Sequence, residues 1–316
     1  MKQKYKIGDI IMVANKGHKF SKIGRFFVKY GGLYAFMAPF LIAFVTFNII
    51  PVLISIILGF TNFDVIQSPV FIGFNNYSQL FLEDPLLPLA LKNTVVIASV
   101  TGPVSFLLSL MVAWMLNEVS NVLRSVITLL FYTPVISGGA YMIWTTIYSG
   151  DSYGFLNGVL MNLGIIYKPI QWTTDSAYMM GSAIIVLLWM SFGTGFLSFI
   201  AGFKNIDVKL YEAGAIDGIK NRYQEMWYIT LPSMKSQLMF GAVMSITQAF
   251  GVGEVINHIY GFPSTNYSLY TMVHMLQDYG NVRFEMGYAS AVATILFVIM
   301  VGLNEIIQKL LQKVGN

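Results

Sequence analysis

The chain has 316 residues, of which 56% are hydrophobic and only 11% charged, with a mean hydropathy of +0.65. A soluble domain carries about 25% charged residues, so this composition excludes an ordinary soluble protein, whose surface it could not cover. The net charge of +4 does not point to nucleic acid, since the basic residues are not clustered with aromatic readers, and without cysteine there is no disulfide framework, thiolate metal site or cysteine nucleophile.

Residues 1–30 hold eight basic side chains, Lys2, Lys4, Lys6, Lys16, Lys19, Lys22, Arg25 and Lys29. They read as a basic cytoplasmic tail and not as a cleavable signal. The apolar run from Gly31 is too long for an h-region and lacks a small-residue cleavage site. Residues 31–60 are then a first transmembrane helix. Residues 61–92 follow as an outer loop rich in Asn, Tyr, Gly and Pro. Further uncharged runs lie at 93–117, 125–150, 176–203, 236–253 and 286–304. Each approaches or exceeds the roughly 20 residues that a transmembrane helix needs. Lipid offers no partner to backbone groups, so such runs are expected as helices. The expectation is an all-α membrane protein of six transmembrane helices. Pro51, Gly102-Pro103, Pro134 and Gly193/Gly195 are expected kink sites. Phe155 to Ile165 reads as a short outer helix lying along the membrane surface.

The tail, the loop with Arg124, the 204–235 loop and the C-terminus together hold 16 of the 19 basic residues. Positively charged loops stay inside. Both termini and the 204–235 loop are therefore expected in the cytoplasm, with outer loops at 61–92, 151–177 and 254–285. The core runs over 93–308, and 309–316 form a cytoplasmic C-terminus.

The 204–235 loop is the one long charged loop within the apolar sequence. Asp207 can cap a helix through Leu210, Tyr211 and Ala215, and Gly218 is placed to stop it. Asn221 can cap a second helix, Arg222 to Tyr228, that ends at Leu231-Pro232. Its Tyr223, Trp227 and Tyr228 suit an interface. The small residues Ala213, Gly214 and Ala215 allow a partner to approach closely, and Glu212 can pair with a basic group there. An amphipathic interhelical loop with solvated charges explains the same residues.

Glu212-Ala213-Gly214, Asp217-Gly218 and Ile229-Thr230-Leu231-Pro232 resemble the EAA loop of ABC importer permeases. Gly214 replaces the second alanine, and the gap from Gly218 to Ile229 is one residue longer than in the family. Residues 34–93 add Ala38-Pro39-Phe40, Ile50-Pro51, Asn76-Tyr77, Asp84 and Ala90-Leu91-Lys92-Asn93-Thr94. They look like the start of carbohydrate permeases of the maltose and glycerol-phosphate type. The resemblance covers about 34–310.

It implies the transmembrane permease of a type I ABC importer in a bacterial cytoplasmic membrane. The implied partners are a second homologous permease, two copies of a cytoplasmic ABC ATPase, an extracytoplasmic solute-binding protein, a sugar and the lipid bilayer, with no nucleic acid. The chain itself is expected to bind no cofactor. It has no G-x-x-x-x-G-K-[ST] loop, so ATP and Mg would be used by the partner ATPase, and no catalytic or metal site is expected here. Glu212, Ala213, Gly214, Asp217, Gly218, Ile229, Leu231 and Pro232 would couple to the ATPase. By register from Glu212, the sugar contacts of maltose-type permeases fall on Leu187, Met190, Ser191 and Thr194 before the loop and on Ser245, Gln248 and Ala249 after it, with Trp189 adding an aromatic face.

Each of these polar residues has a second reading, because Ser and Thr in spans bond their own helix carbonyls and Trp189 packs equally well. His258 and His274 read as solvated loop histidines and not as metal ligands. Glu254, at the outer end of the fifth span, reads as a hydrated interfacial residue or as a gate. The basic tail also suits anionic lipid. A proton-coupled secondary transporter or channel is the alternative class, but it would need acids inside its spans, and the six runs contain none.

Overall fold

A computed structural model describes the backbone of residues 22–313 and the side chains of residues 32–313. The readings on Lys2 to Lys19 and on residues 314–316 lie outside the described residues. Two units are distinguished, Met1–Ile54 and Ser55–Asn316.

In the first unit helix α1, Lys22–Phe44, runs into a π turn, Val45–Ile49; helix α2, Ile50–Leu58, continues from it and contains the unit boundary after Ile54. The helix therefore starts inside the segment read as tail. The π turn has a local cause. Pro51 has no N–H to give to the carbonyl four residues back, and the turn before it widens so that Ile50 N reaches Val45 O. The kink expected at Pro51 is absorbed as this bulge. Gly32–Leu58 is 27 residues long, apolar and unburied in the chain itself.

The second unit opens with more structure than the irregular loop expected at 61–92. Strands β1, Thr61–Asn62, and β2, Val70–Phe71, pair antiparallel. Helix α3, Asn75–Leu82, follows. Helix α4, Leu87–Asn117, starts six residues ahead of the uncharged run and carries Pro103 mid-length. Arg124 closes its far end. The guanidinium donates to the carbonyls of Leu116, Asn117 and Val119 at 2.8, 2.8 and 3.1 Å, satisfying carbonyls that a helix end leaves open.

The run at 125–150 is not one straight helix. Helix α5, Asn121–Ile136, breaks after Pro134, and Ala140–Ile147, which ends in helix α6 (Ile143–Ile147), leaves it at 87°. Gly138 supplies the positive φ of +66° that the corner needs. The expected short helix forms as α7, Phe155–Asn162. The segment around it hangs on buried Asn157. Its amide donates to the carbonyls of Ser149, Asp151 and Ile170, and its oxygen accepts from Ile170 N and Trp172 Nε1.

The run at 176–203 is also broken. Helices α8, Ser176–Trp189, and α9, Thr194–Lys204, meet at 42° across residues 190–193. After the charged loop come α13, Lys235–Phe250, and α14, Gly253–Tyr260. Helix α15, Met272–Gln277, and α16, Met286–Leu311, complete the chain. The charged loop itself supplies α10, Val208–Ile216, α11, Arg222–Glu225, and α12, Leu231–Ser233. Among the described residues four helices are long and apolar enough to cross a membrane, and up to six if each bent pair is one span.

Helices α4, α9, α13 and α16 form the packed centre. Small residues let them close. The Cα of Gly241 lies 3.3 Å from where a Cβ on Gly195 would stand, and a Cβ on Gly241 would strike the ring of Phe199. Phe192, Phe196, Phe199 and Phe203 bury their rings around this crossing. Close helix approach through small residues is how membrane bundles gain packing energy without a hydrophobic drive.

Candidate functional site

The charged loop is a helix–turn–helix held from inside. Asp207 accepts a hydrogen bond from Lys209 N at 3.0 Å and starts α10. Gly218, with φ +94°, ends it. Ile219 N bonds Gly214 O and Gly218 N bonds Ala215 O, the paired bonds of a Schellman turn. Asn221 Oδ1 accepts from Gln224 N at 2.9 Å and starts the second helix. These three caps stand where the sequence placed them. The second helix does not stop at Pro232. Met226–Thr230 form a π turn, with Leu231 N on Met226 O, so the chain passes the proline and stays helical to Ser233.

The two halves of the loop are joined by Tyr211 Oη and Thr230 Oγ1 at 2.9 Å. Gly214 has a different role from the one expected. It is buried, and a Cβ there would lie 2.5 Å from Ile229 Cδ1 and 3.0 Å from Ile219 Cδ1. Its smallness serves packing within the loop, against Ile229, and gives no room to a partner. Glu212, Ala213, Asp217 and Gly218 are exposed; Ile229, Leu231 and Pro232 are half-buried. Among the described residues Glu212 takes part in none of the ion pairs. Ile216, Trp227 and Tyr228 are also exposed, and Tyr223 leans on Trp114 of α4. Arg222 bridges Glu225 at 3.0 Å and Glu118, just past the end of α4, at 2.6 Å.

The residues expected along a solute path separate into groups. Leu187, Met190, Ser191, Gln248 and Ala249 line one cavity of about 200 Å³. It sits where two helices are interrupted, at 190–193 between α8 and α9 and at Gly251–Val252 between α13 and α14. Thr101 and Ser105 of α4 line it too. The sequence reading missed this pair, although their spacing of four across Gly102-Pro103 puts them on one helix face. The hydroxyls of Thr101, Ser105 and Ser191 donate to carbonyls of their own helices, at 2.8, 3.0 and 2.7 Å. Their oxygens keep free lone pairs. The side-chain amide of Gln248 packs against Gly193, where a Cβ would collide with it.

Ser245 faces elsewhere. It lines a groove of about 630 Å³ between α4, α13 and α16 in which Ser99 is the only other polar residue. Ala249 borders both spaces. Trp189 sets its ring edge-on to Trp144, 5.8 Å between centroids, and lines neither. Thr194, at the exposed start of α9, lines neither. The larger space offers almost no hydrogen bonding, so the smaller one is the better candidate for a polar solute.

Glu254 is exposed and accepts a hydrogen bond from Tyr141 Oη at 3.3 Å; His258, also exposed, stacks on that tyrosine. His274 is not a solvated loop residue. It is 2% exposed, and burial pushes its imidazole down to about pKa 4. Its Nδ1 accepts from Thr271 N, closing a capping box at the start of α15. Its Nε2 has no partner.

Residues 105–314 match the family described as binding-protein-dependent transport system inner membrane component. The chain is 34% identical over 273 residues to the probable ABC transporter permease protein YesP of Bacillus subtilis (strain 168), covering 84% of this chain and 86% of that one. It is 28% identical to the arabinooligosaccharides transport system permease protein AraP of the same organism, over 90% of each chain. To the lactose transport system permease protein LacF of Rhizobium radiobacter it is 29% identical, over 77% and 78%. A chain in the crystal structure of a bacterial alginate ABC transporter, in complex with alginate pentasaccharide-bound periplasmic protein, superposes with TM-score 0.76 at 21% identity, covering 94% of this chain and 99% of that one. At that identity the likeness is one of fold. With an almost wholly helical fold, several apolar helices long enough to cross a membrane and a family match over about two thirds of its length, the chain belongs to the binding-protein-dependent inner membrane components, the multi-pass permease subunits of ABC transporters.

Proposed function

We propose that this chain is one half of the pore of an ATP-driven importer for an oligosaccharide or related polyol-type solute. Six spans, counting each bent pair as one, would leave both termini and the 207–233 loop on one side of the membrane, and the distribution of Lys and Arg supports the cytoplasm as that side. A second permease completes the pore, two copies of an ABC ATPase drive it, and an external binding protein delivers the solute.

The loop carries this reading. Two capped helices, a Schellman turn and the Tyr211–Thr230 bond make a stiff projection with Glu212, Ala213 and Asp217 exposed on it. A stiff projection transmits displacement, whereas a flexible one absorbs it. Beside the exposed Lys209 and Lys220, Glu212 and Asp217 offer carboxylates that suit basic groups in a groove on the ATPase. ATP and Mg are then used in the partner.

The cavity supports the solute class. Thr101, Ser105 and Ser191 offer hydroxyl acceptors and Gln248 offers amide donors, with no charged side chain among the lining residues. Sugar hydroxyls match both kinds of group, and a charged solute would lack a counter-ion. Interrupted helices at a transport site expose backbone groups to the solute. The relatives named for arabinooligosaccharide and lactose transport point the same way.

The test is reconstitution. The chain alone in vesicles is expected to hydrolyse no ATP and move no sugar. Uptake is expected once its ATPase, the second permease and a loaded binding protein are added. Proton-driven uptake by the lone chain would overturn the reading.

A further inference from the structure

The hairpin between α2 and α4 exposes apolar side chains that nothing above uses. Ile66 at its tip is 90% exposed, Phe71 on β2 75% and Leu82 at the end of α3 82%; Val70, Phe74 and Phe81 are exposed as well. Exposed apolar patches of this kind mark an interaction surface.

The base of the hairpin is tied to neighbouring helices. Helix α2 ends at Leu58, three residues before β1, so the strand starts within about 10 Å of the helix end. The Asn76 amide donates to the carbonyls of Gly59 and Thr61, both at 2.9 Å. Gly287 N, at the start of α16, bonds Phe63 O at 2.9 Å. A Cβ on Gly287 would collide with Thr61 O, so the strand lies directly on that helix end. The patch thus stands level with the ends of two apolar helices. Ile57, on the last turn of α2, is also exposed, so the apolar exterior runs on from helix to hairpin.

The chemistry of the patch selects lipid over protein. No Lys or Arg occurs between Lys29 and Lys92. None of the exposed side chains on the patch is the Tyr, Trp or Arg that anchors most protein interfaces. Of the nearby acids, Glu83 is exposed beside Leu82, and the other two have carboxylate oxygens held in hydrogen bonds. Asp64 accepts from Ile66 N and Gln67 N, and Asp84 from Leu86 N and the hydroxyls of Tyr279 and Tyr288.

We propose that Ile66, Phe71, Phe74 and Leu82 are immersed among the acyl chains of the bilayer, so that the hairpin is a fixed membrane-interface anchor. Which leaflet it enters follows from the orientation proposed above; the immersion does not depend on it. Without a cation in the segment, the contact is with acyl chains and is indifferent to headgroup charge.

The chain contains no cysteine, so single sites can be labelled cleanly. Ile66→Cys and Phe71→Cys, with Leu82→Cys as a third position should either express poorly, would carry a nitroxide on the full chain in phosphatidylcholine nanodiscs. Power saturation compares molecular oxygen, which partitions into lipid, with a water-soluble nickel chelate. The expected result is an oxygen-to-nickel accessibility ratio several-fold above that of Lys220→Cys on the charged loop, unchanged when phosphatidylglycerol is added. A ratio equal to that of Lys220→Cys would mean a hairpin in water. Exclusion of both reagents would mean that protein covers it. A ratio that rises only with phosphatidylglycerol would mean headgroup attraction. Each of these three results overturns the proposal.

Discussion

Acidification should loosen the chain through one imidazole. His274 is 2% exposed, and its pKa is pushed from 6.5 down to about 4 by burial. The folded state thus binds the proton less readily than the unfolded state. Its contribution is fully present above pH 6.5 and is lost as pH falls from 6.5 towards 4. At 1.36 kcal/mol for each of the 2.5 pH units between those values, the loss is about 3 kcal/mol. The structure gives the same direction independently. Protonation of Nδ1 destroys the acceptor for Thr271 N, and the charged ring would lie against the rings of Phe262 and Tyr270. His274→Gln is the informative variant, since glutamine at this capping-box position can still accept from Thr271 N but does not titrate. Thermal unfolding of the purified chain in detergent, scanned from pH 7.5 to 4, reads the effect, and amide exchange of residues 271–279 localises it. The parent is expected to lose roughly 5–10 °C more than the variant across this range. Comparing the two cancels every other titrating group. Parallel pH profiles for parent and His274→Gln would refute the reasoning.

Three further outcomes are expected, all resting on the proposed function. Glu212→Lys should insert normally yet abolish uptake, because it reverses the charge offered to the ATPase; normal co-purification of the ATPase together with normal uptake would remove Glu212 from the coupling surface. The Arg222–Glu118 pair is exposed and contributes no more than about 1 kcal/mol of stability. Arg222→Glu should therefore leave yield unchanged while lowering transport per ATP hydrolysed, and the exchanged pair Glu118→Arg/Arg222→Glu should recover it; a double variant no better than the single would deny the link. Ser191→Ala/Gln248→Ala should slow uptake without altering solute affinity of the free binding protein, whereas Thr194→Ala/Ser245→Ala, which miss the smaller cavity, should not. Equal effects of the two pairs in vesicle transport would put the solute elsewhere.

What could be read in the sequence was local. Asp207, Gly218 and Asn221 act within four residues of themselves, so their caps followed from residue type and spacing. Uncharged runs reported helices for the same reason. The breaks after Pro134 and at 190–193 were visible only as Pro and Gly; their angles of 87° and 42° depend on neighbouring helices. Gly214 was misread because the atom that needs its missing Cβ is on Ile229, fifteen residues on. His274 was misread because its burial comes from packing beyond its own helix. Thr101 and Ser105 looked like ordinary span hydroxyls, which they are by their hydrogen bonds. Only the cavity across from them, built by α8 and α13, gives them a second role. The register from Glu212 put five residues on that cavity and sent Ser245 to a different face.

Helix α4 is attached at both ends. At one end Glu118 holds Arg222 of the charged loop. At the other the Asn93 amide donates to the carbonyls of Tyr267 and Tyr270, and Thr94 Oγ1 accepts from Met272 N at the start of α15. Thirty-one helical residues span about 46 Å. Thr101 and Ser105, beside the smaller cavity, stand near the midpoint. If it stays straight through Pro103, such a rod would act as a seesaw. A tilt of about 10° about its centre swings each end by roughly 4 Å in opposite senses while the middle stays almost still. On the proposed function, a push on the charged loop would reappear with its sign reversed on the far face, with the hydroxyls beside the cavity at the pivot.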